Sequence, residues 1–281
     1  MTIVNIIGAG RVGRTLLRLL SAQPDVEIGQ IASRRIKTAE QAVAEVKCGR
    51  AVGDVSDMTD ADIWFLTVPD TQIANVASRL SQVSVRPAIA VHCSGYHVAG
   101  IMDALSPLGW RLASAHPVLS FADPDVSAAR FPGSYCGLEG DEAALKTIEP
   151  LFNALGARTF RIGSEGKVLY HAAAVVTNNF TTVLQGLALE MWADAGVPAD
   201  VARAMNATLL ASTLENAERL GPAEALTGPA ARGDSAVVEA QGRAVAAWHP
   251  DAGALYRMLS EMAARLKSDG RTVDGQDLPR Q

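Results

Sequence analysis

Three glycines near the start of the chain, within Gly8–Gly13 (GAGRVG), have the spacing of a turn that binds phosphate. Gly8 allows a sharp turn, Gly10 lets the backbone approach a pyrophosphate without an intervening Cβ, and Gly13 lets a following helix pack close to a sheet. That helix would direct its free N–H groups and its dipole at the phosphates. The motif therefore predicts a dinucleotide site that includes Gly8, Gly10, Arg11, Val12 and Gly13.

The end of the next predicted strand, Val26–Ala32, indicates which dinucleotide would bind. NAD sites carry an acidic residue about 20 positions after the glycines, where it binds the ribose 2′-OH. This chain instead has Ser33, Arg34 and Arg35, a hydroxyl and two guanidiniums. Because arginine offers paired donors that suit a phosphate, these three residues are predicted to bind the 2′-phosphate of NADP. A solvated basic turn is the alternative.

Further candidates follow two later strands. Thr67, Val68 and Pro69 end a continuously apolar strand, and Ser94 follows the predicted strand Ala88–His92. Open α/β sheets bind ligands at the carboxyl ends of their parallel strands. These four residues are therefore predicted to line the cofactor site, and the Ser94 hydroxyl is expected to bond a carboxamide or the substrate.

A histidine follows the next predicted strand, Trp110–Ser114. His116 precedes Pro117, which excludes the helical region for the histidine backbone. We therefore expect an extended turn that presents the His116 imidazole to a cleft, with a purely structural turn as an equal alternative. His92 is interpreted instead as a core histidine.

The composition limits the possible classes. A chain of 281 residues with 48% hydrophobic residues is long enough for two domains. Its net charge of −5 argues against a nucleic-acid or membrane-surface partner. The three scattered cysteines indicate reduced thiols and no metal site, and no targeting or membrane-spanning segment is evident, so a cytoplasmic location is expected.

The hydrophobic periodicity changes near Gly163, from alternating strands and helices to helices throughout. The first of these helices is predicted to run without interruption from 167 to 195. The expected fold class is α/β, with a Rossmann-type parallel sheet domain over 1–163 followed by an all-helical C-terminal domain over 164–281.

Several short motifs, spread over nearly the whole chain, resemble those of one known superfamily. They are Gly8–Gly13, His92–Gly95, His116-Pro117, Tyr170–Ala174, Asn178-Asn179 and Leu226–Asp234. The most specific of them is Leu226–Asp234.

With these motifs the chain resembles the 6-phosphogluconate-dehydrogenase-like superfamily. Within it, the chain is most similar to a group of NADP oxidoreductases with a helical C-terminal domain of unknown function, whose activity is itself mostly inferred. The resemblance implies NADP as cofactor, a helical domain that supplies catalytic residues, and a homodimer formed through that domain.

In hydroxyacid members of this superfamily, the first long helix carries a lysine as proton donor and, four residues later, an asparagine that anchors the substrate. Here Lys167 is followed by His171, while Asn178 and Asn179 come two to three turns later. Positions 167, 171 and 178 are expected to share a helix face and one cleft. His171 is the preferred general acid or base because histidine changes charge near neutral pH, with a merely packed histidine as the alternative. His116 is the second choice, and the asparagines would orient the substrate.

The loop Thr227–Asp234 contains one more candidate, Arg232, which could clamp a substrate carboxylate or phosphate. A structural loop in which Asp234 caps the next helix is an equal alternative.

Together these features predict an NADP-dependent oxidoreductase that transfers a hydride between nicotinamide and a C=O or C=N carbon of a small polar substrate. A protein that binds NADP without turnover, as a sensor or assembly partner, is the alternative, because the Lys-x-x-x-Asn pair is missing.

Overall fold

The computed structural model describes residues 1–83 and 85–274, and the chain divides into two compact units, Met1–Thr181 and Thr182–Gln281. The first unit includes the first helix after residue 163, where the composition changes. The domain boundary placed there from composition stays a prediction.

The first unit is built on one sheet, which has eight strands within the described residues, in the order β3-β2-β1-β4-β5-β6-β7-β8. All neighbouring strands are parallel except β6 and β7, which are antiparallel. The first six follow the order of a Rossmann sheet, so the predicted fold class is confirmed. The strands are β1 (Thr2–Ile7), β2 (Val26–Ala32), β3 (Arg50–Val52), β4 (Ile63–Leu66), β5 (Ile89–His92), β6 (Arg111–Val118), β7 (Tyr135–Gly140) and β8 (Arg158–Arg161).

The central strands are apolar on both faces because helices cover both. Ile6 and Phe65 belong to one buried cluster, whereas Ile7 and Leu66, their neighbours in the chain, belong to a second. Side chains alternate between the faces of a strand, so the two clusters are the two halves of a doubly wound core. The helices of this unit are α1 (Arg11–Ser21), α2 (Ile36–Val46), α3 (Ile73–Leu80), α4 (Pro124–Arg130), α5 (Glu142–Ala154) and α6 (Lys167–Val175).

Strand β6 is longer than predicted, and this changes the place of His116. Beyond Ser114 the strand has no partner in β5 but continues to pair with β7, where His116 lies opposite Gly137. The expected turn at His116-Pro117 is therefore wrong, since both residues lie inside the strand. The extended backbone that a following proline requires is equally compatible with a strand.

The first long helix is also not continuous as predicted. It consists of α6, a π-helical turn at Val176–Phe180, and α7 (Thr181–Asp194). The wider turn shifts the angular position of residues that follow it. The other regular elements described in the second unit are helices, namely α8 (Ala199–Leu220), α9 (Pro222–Ala225), α10 (Pro229–Arg232), α11 (Ser235–Trp248) and α12 (Pro250–Asp269). Across the described parts of the chain, no helix combines the length and apolar character needed to cross a membrane.

Candidate active site

The glycine turn after β1 is fixed by contacts that exclude larger residues. Gly8 has φ +112°, and a Cβ there would lie 2.6 Å from the carbonyl of Thr67. A Cβ on Gly13 would overlap the carbonyl oxygen of Gly8. The Thr67 hydroxyl donates to that same oxygen at 2.6 Å. Thr67, predicted to line the cofactor site, thus closes the turn from β4.

Gly10 differs from the other two glycines because it faces open space. No atom lies within 4 Å of the position that its Cβ would occupy. Gly10 is the N-cap of α1, no side chain caps this helix, and its first turn has no acidic residue. The N–H groups of the first turn are therefore available to an anion. Arg11, also exposed, and half-buried Val12 begin the helix.

The residues predicted to bind a 2′-phosphate lie beside this turn. Ala32, the last residue of β2, pairs with Ile7 at the end of β1, so Ser33, Arg34 and Arg35 leave the sheet next to the glycines. Both arginines are exposed, and neither forms an ion pair in the described part of the chain. Their guanidiniums are free to bind an anion.

Ser94, expected to contact a ligand, instead has a hydroxyl that is fully hydrogen-bonded to its own loop and to Asp70. It is buried, and its hydroxyl donates to the Asp70 carboxylate at 2.9 Å. The same oxygen accepts from the backbone N–H groups of Tyr96 and His97, each at 3.1 Å. A hydroxyl can donate one hydrogen bond and accept two, so these three bonds use the full capacity of the Ser94 hydroxyl. Ser94 therefore holds the loop that follows β5. Of the other predicted residues here, Val68 is half-buried and Pro69 exposed.

Two histidines and a tyrosine meet above this loop. The rings of His116 and His171 are edge to face at 5.5 Å, and the Tyr170 hydroxyl lies 2.8 Å from Nδ1 of His116. Gly95 lies against both imidazoles, since a Cβ there would lie 2.8 Å from His116 Nε2 and closer still to His171 Nδ1. The structure thus brings together the two predicted acid-base candidates, His116 and His171.

His171 carries the clearest sign of a missing partner. Its Nδ1 is fully buried and has no hydrogen-bond partner in the described chain. Buried nitrogens almost always have a partner, so an unpaired one next to a predicted ligand site points to a bound ligand or water.

The electrostatic environment keeps His116 neutral. Burial, helped by the nearby His171 and Lys167, lowers the pKa of His116 to about 4, and the Asp70 carboxylate opposes the shift. At pH 7 His116 therefore has one N–H donor and one acceptor nitrogen. Burial also lowers the pKa of His92 to about 3, and this residue, fully buried with Nε2 3.1 Å from the Val98 carbonyl, is a core histidine as predicted.

Lys167 does not share the cleft predicted for it. Its side chain is 0% exposed, its ammonium donates to the Ser114 hydroxyl, and it lies 3.8 Å from Glu139. Burial lowers the Lys167 pKa to about 8, against the opposing effect of the Glu139 carboxylate. The expectation that it lines a cleft with His171 and Asn178 is wrong, because its helix face packs onto β6 and β7.

The remaining predicted residues lie elsewhere. Asn178 and Asn179 are exposed on the π-helical turn, out of α-helical register with His171. Arg232 belongs to the second unit, where its guanidinium pairs with Asp234 at 3.0 Å. Asp234 is the N-cap residue of α11, but its side chain accepts no capping bond.

Sequence reasoning missed Tyr170 and Gly95 as site residues. Both lie within motifs that carried the resemblance, one directly before His171 and the other directly after Ser94. Their neighbours in the chain could have drawn attention to them. Nothing in the local sequence, however, shows that Tyr170 bonds a histidine 54 positions away.

The fold and the site together define a class, that of dinucleotide-binding proteins with a Rossmann sheet followed by helices. Two family models match this chain. Residues 3–93 match "NADP oxidoreductase coenzyme F420-dependent", and residues 134–263 match a domain of unknown function, DUF2520. The chain is thus similar to an NADP oxidoreductase domain in its N-terminal part and to DUF2520 in its C-terminal part.

Individual relatives agree with this class. A meso-diaminopimelate D-dehydrogenase of Bacteroides fragilis is 30% identical over 129 residues, 46% of this chain and 40% of that enzyme. A crystal structure from Thermotoga maritima has 27% identity and a TM-score of 0.76, covering 95% of this chain and 99% of the other. A Bacteroides fragilis protein provisionally described as an NADP oxidoreductase has 23% identity and a TM-score of 0.77, covering 94% and 98%. These matches support a general oxidoreductase of the NAD(P) class.

Proposed function

We propose that the protein is an NADP-dependent oxidoreductase that transfers a hydride between nicotinamide and a C=O or C=N carbon of a small polar substrate. One observation carries the proposal. The glycine turn directly follows β1, and His116 lies on β6 just past the carboxyl end of its parallel neighbour β5, so both lie at the edge at which such sheets bind ligands. The His171 ring lies against His116 there.

The residues at this edge fit a dinucleotide. Gly10 leaves room for a pyrophosphate, and the uncapped start of α1 offers N–H donors to it. Further along the same edge, Nδ1 of His171 has no partner among the described residues and is assigned to the substrate and not to the dinucleotide. When bound, the nicotinamide supplies or accepts the hydride.

Preference for NADP is proposed from the free guanidiniums. Arg34 and Arg35 are exposed, form no ion pair with any described residue and lie next to the glycine turn, and a 2′-phosphate would give them a partner. Ser33 would add a hydroxyl donor.

Proton movement is assigned to His171, as the imidazole with an unpaired nitrogen at the site, with His116 beside it. Asn178 and Asn179, exposed on the π-helical turn that follows α6, are proposed to orient the substrate. Arg232 is proposed as a clamp for a substrate anion, in competition with its ion pair to Asp234.

A homodimer through the helical unit is also proposed. Helix α8 exposes several large apolar side chains, and Leu214 is 68% exposed. Apolar faces of this kind favour association, and a second copy of the chain would cover them.

The first experiment is a fluorescence titration with NADPH and NADH on the native protein, Arg34→Ala and Arg111→Ala. Loss of a charge-assisted hydrogen bond should weaken NADPH binding about 10-fold or more in Arg34→Ala, while NADH binding stays unchanged. Arg111 is an exposed arginine at the amino end of β6, so its variant should bind like the native protein. Absence of binding by either nucleotide would exclude the proposed function.

The second experiment tests turnover. NADPH oxidation is followed with a panel of small ketones and imines, and His171→Asn is expected to lower kcat by about 100-fold or more while nucleotide affinity is retained. NADPH binding without oxidation of any panel member, together with a cellular role that survives His171→Asn but not Arg34→Ala, would favour the non-catalytic sensor instead.

A further inference from the structure

Tyr170 lies beside His116 but takes no part in the proposed hydride transfer or cofactor binding. We propose that Tyr170 is a positioning residue that holds His116 in the tautomer with its proton on Nε2, so that a neutral N–H donor faces the carbonyl oxygen of the substrate. This inference rests on the proposed function, since it specifies which substrates that site would take.

The first step concerns the direction of one hydrogen bond. The Tyr170 hydroxyl lies 2.8 Å from His116 Nδ1, and this is the one hydrogen bond that the hydroxyl makes within the described chain. If Nδ1 carried the proton and donated, the phenol O–H would have no acceptor, which is costly for a half-buried hydroxyl. If the phenol donates, both groups are satisfied and the imidazole proton lies on Nε2. Burial raises the Tyr170 pKa to about 12, so the phenol keeps its proton at neutral pH.

The second step concerns how firmly the phenol is placed. Its ring packs edge to face on Phe160 at 5.9 Å. Its hydroxyl lies over Gly137, where a Cβ would come within 2.9 Å of the oxygen. Gly137 is also the residue opposite His116 in the pairing of β6 with β7. Because Gly137 has no side chain, β7 leaves the space in which the Tyr170 phenol and the His116 imidazole meet.

The third step concerns what His116 presents. Its Nε2 lies beside Gly95 and has no hydrogen-bond partner among the described residues. This nitrogen is not fully buried, so a ligand can reach it. An N–H at this position suits an acceptor. A carbonyl oxygen has lone pairs and gains negative charge as a hydride arrives at its carbon, so the hydrogen bond strengthens during the reaction.

An iminium nitrogen carries its own proton and has no lone pair to accept. The arrangement therefore favours carbonyl compounds over iminium compounds. In this role His116 stabilises charge and neither gains nor loses a proton.

The test is the tautomer itself. The full-length protein, labelled with ¹⁵N-histidine, is studied at pH 7 by long-range ¹H–¹⁵N correlation, and His116→Gln identifies the His116 signals. The native protein should show His116 only as the Nε2–H form, and Tyr170→Phe, which keeps the ring on Phe160, should show a mixture of both tautomers. Tyr256→Phe is the matched control, because it removes a hydroxyl that bonds Gln241 in the second unit. It should leave His116 unchanged.

A His116 that carries its proton on Nδ1 in the native protein, or a tautomer unaffected by Tyr170→Phe, would overturn the inference. Titration of the same samples with NADPH keeps the two proposals separate. Lack of NADPH binding would reject the proposed function whatever the tautomer, whereas normal binding with the wrong tautomer would reject only the role of Tyr170. Once a substrate is known, Tyr170→Phe should lower kcat about 10-fold or more with little change in KM, the loss expected for one hydrogen bond made mainly in the transition state.

Discussion

The glycine turn and the histidine cluster lie on the same sheet edge but are built in opposite ways. The turn comes from one contiguous segment, Gly8–Gly13, closed by a single hydroxyl from Thr67. The cluster draws His116 from β6, Gly95 from the loop after β5, and Tyr170 and His171 from α6. The turn is specified by backbone conformation, whereas the cluster depends on how distant elements pack. Mutations should therefore separate the two.

The largest effect is expected at Gly13. In Gly13→Ala the new methyl would overlap the Gly8 carbonyl, a backbone atom that can move only if the turn opens. Stability should fall by about 3 kcal/mol, and NADPH affinity should fall with it. Gly10→Ala is the matched variant, because open space surrounds Gly10 and its φ of −79° suits alanine.

The Gly10→Ala protein should therefore unfold at nearly the native denaturant concentration yet bind NADPH far more weakly. Chemical denaturation and NADPH titration of both variants provide the check. Equal loss of stability in the two would contradict the contrast between a packed and an open glycine.

A slightly smaller effect is expected beneath the cluster, at Lys167. Lys167→Met removes the buried ammonium and leaves Glu139 without its counter-charge, which should cost about 3 kcal/mol or somewhat less. Lys146→Met, at an exposed site on α5, should change stability by less than about 0.5 kcal/mol. Urea denaturation of both variants measures this. NADPH affinity at the glycine turn should survive in Lys167→Met under conditions in which the protein is folded, because the ion pair supports the other region.

The smallest effect of a single residue is the pH dependence that His116 contributes, which belongs to the cluster and not to the turn. The pKa of His116 falls from 6.5 in the unfolded chain to about 4 in the folded one, so between these values the unfolded state binds the extra proton. Stability should therefore be complete above pH 6.5 and decrease as the pH falls toward 4, by about 2 kcal/mol between pH 7 and pH 5.

His92, whose pKa falls to about 3, should add a similar loss over the same range. Denaturation curves at pH 7, 6 and 5 test this expectation. In His116→Asn the slope should shrink to the part that His92 contributes, and an unchanged slope would show that His116 does not titrate as inferred.

The sequence was most informative where a residue type dictates its own backbone. The glycine turn, the limits of β2, and the order of sheet domain and helical domain were all predicted, because periodicity and glycine content are local properties. The π-helical turn at Val176–Phe180 was missed, since its residues fit an α-helix equally well. The reversal of direction at β7 was missed because a short apolar strand carries no sign of its partner's direction.

The site was predicted unevenly for the same reason. His116 and His171 were identified as candidates by residue type, and the structure places their rings together. The partners that decide their chemistry were not identifiable, because Tyr170, Gly95 and Asp70 reach them only through packing. Lys167 shows the opposite error. A residue type suited to catalysis was expected to line a cleft, although its side chain is buried against Ser114 and Glu139.

The carboxylate of Glu139 has a consequence for the order in which the chain can fold. It accepts from the Ala99 N–H and the Ser164 hydroxyl, and faces Lys167, so it joins segments from both sides of β7. A nascent chain whose last emerged element is β8 already contains the eight described strands of the sheet. It still lacks the Ser164 hydroxyl and the Lys167 ammonium, which are partners of Glu139. The sheet would become stable only when α6 leaves the ribosome, and a fragment cut at residue 163 would keep every strand and still fold poorly.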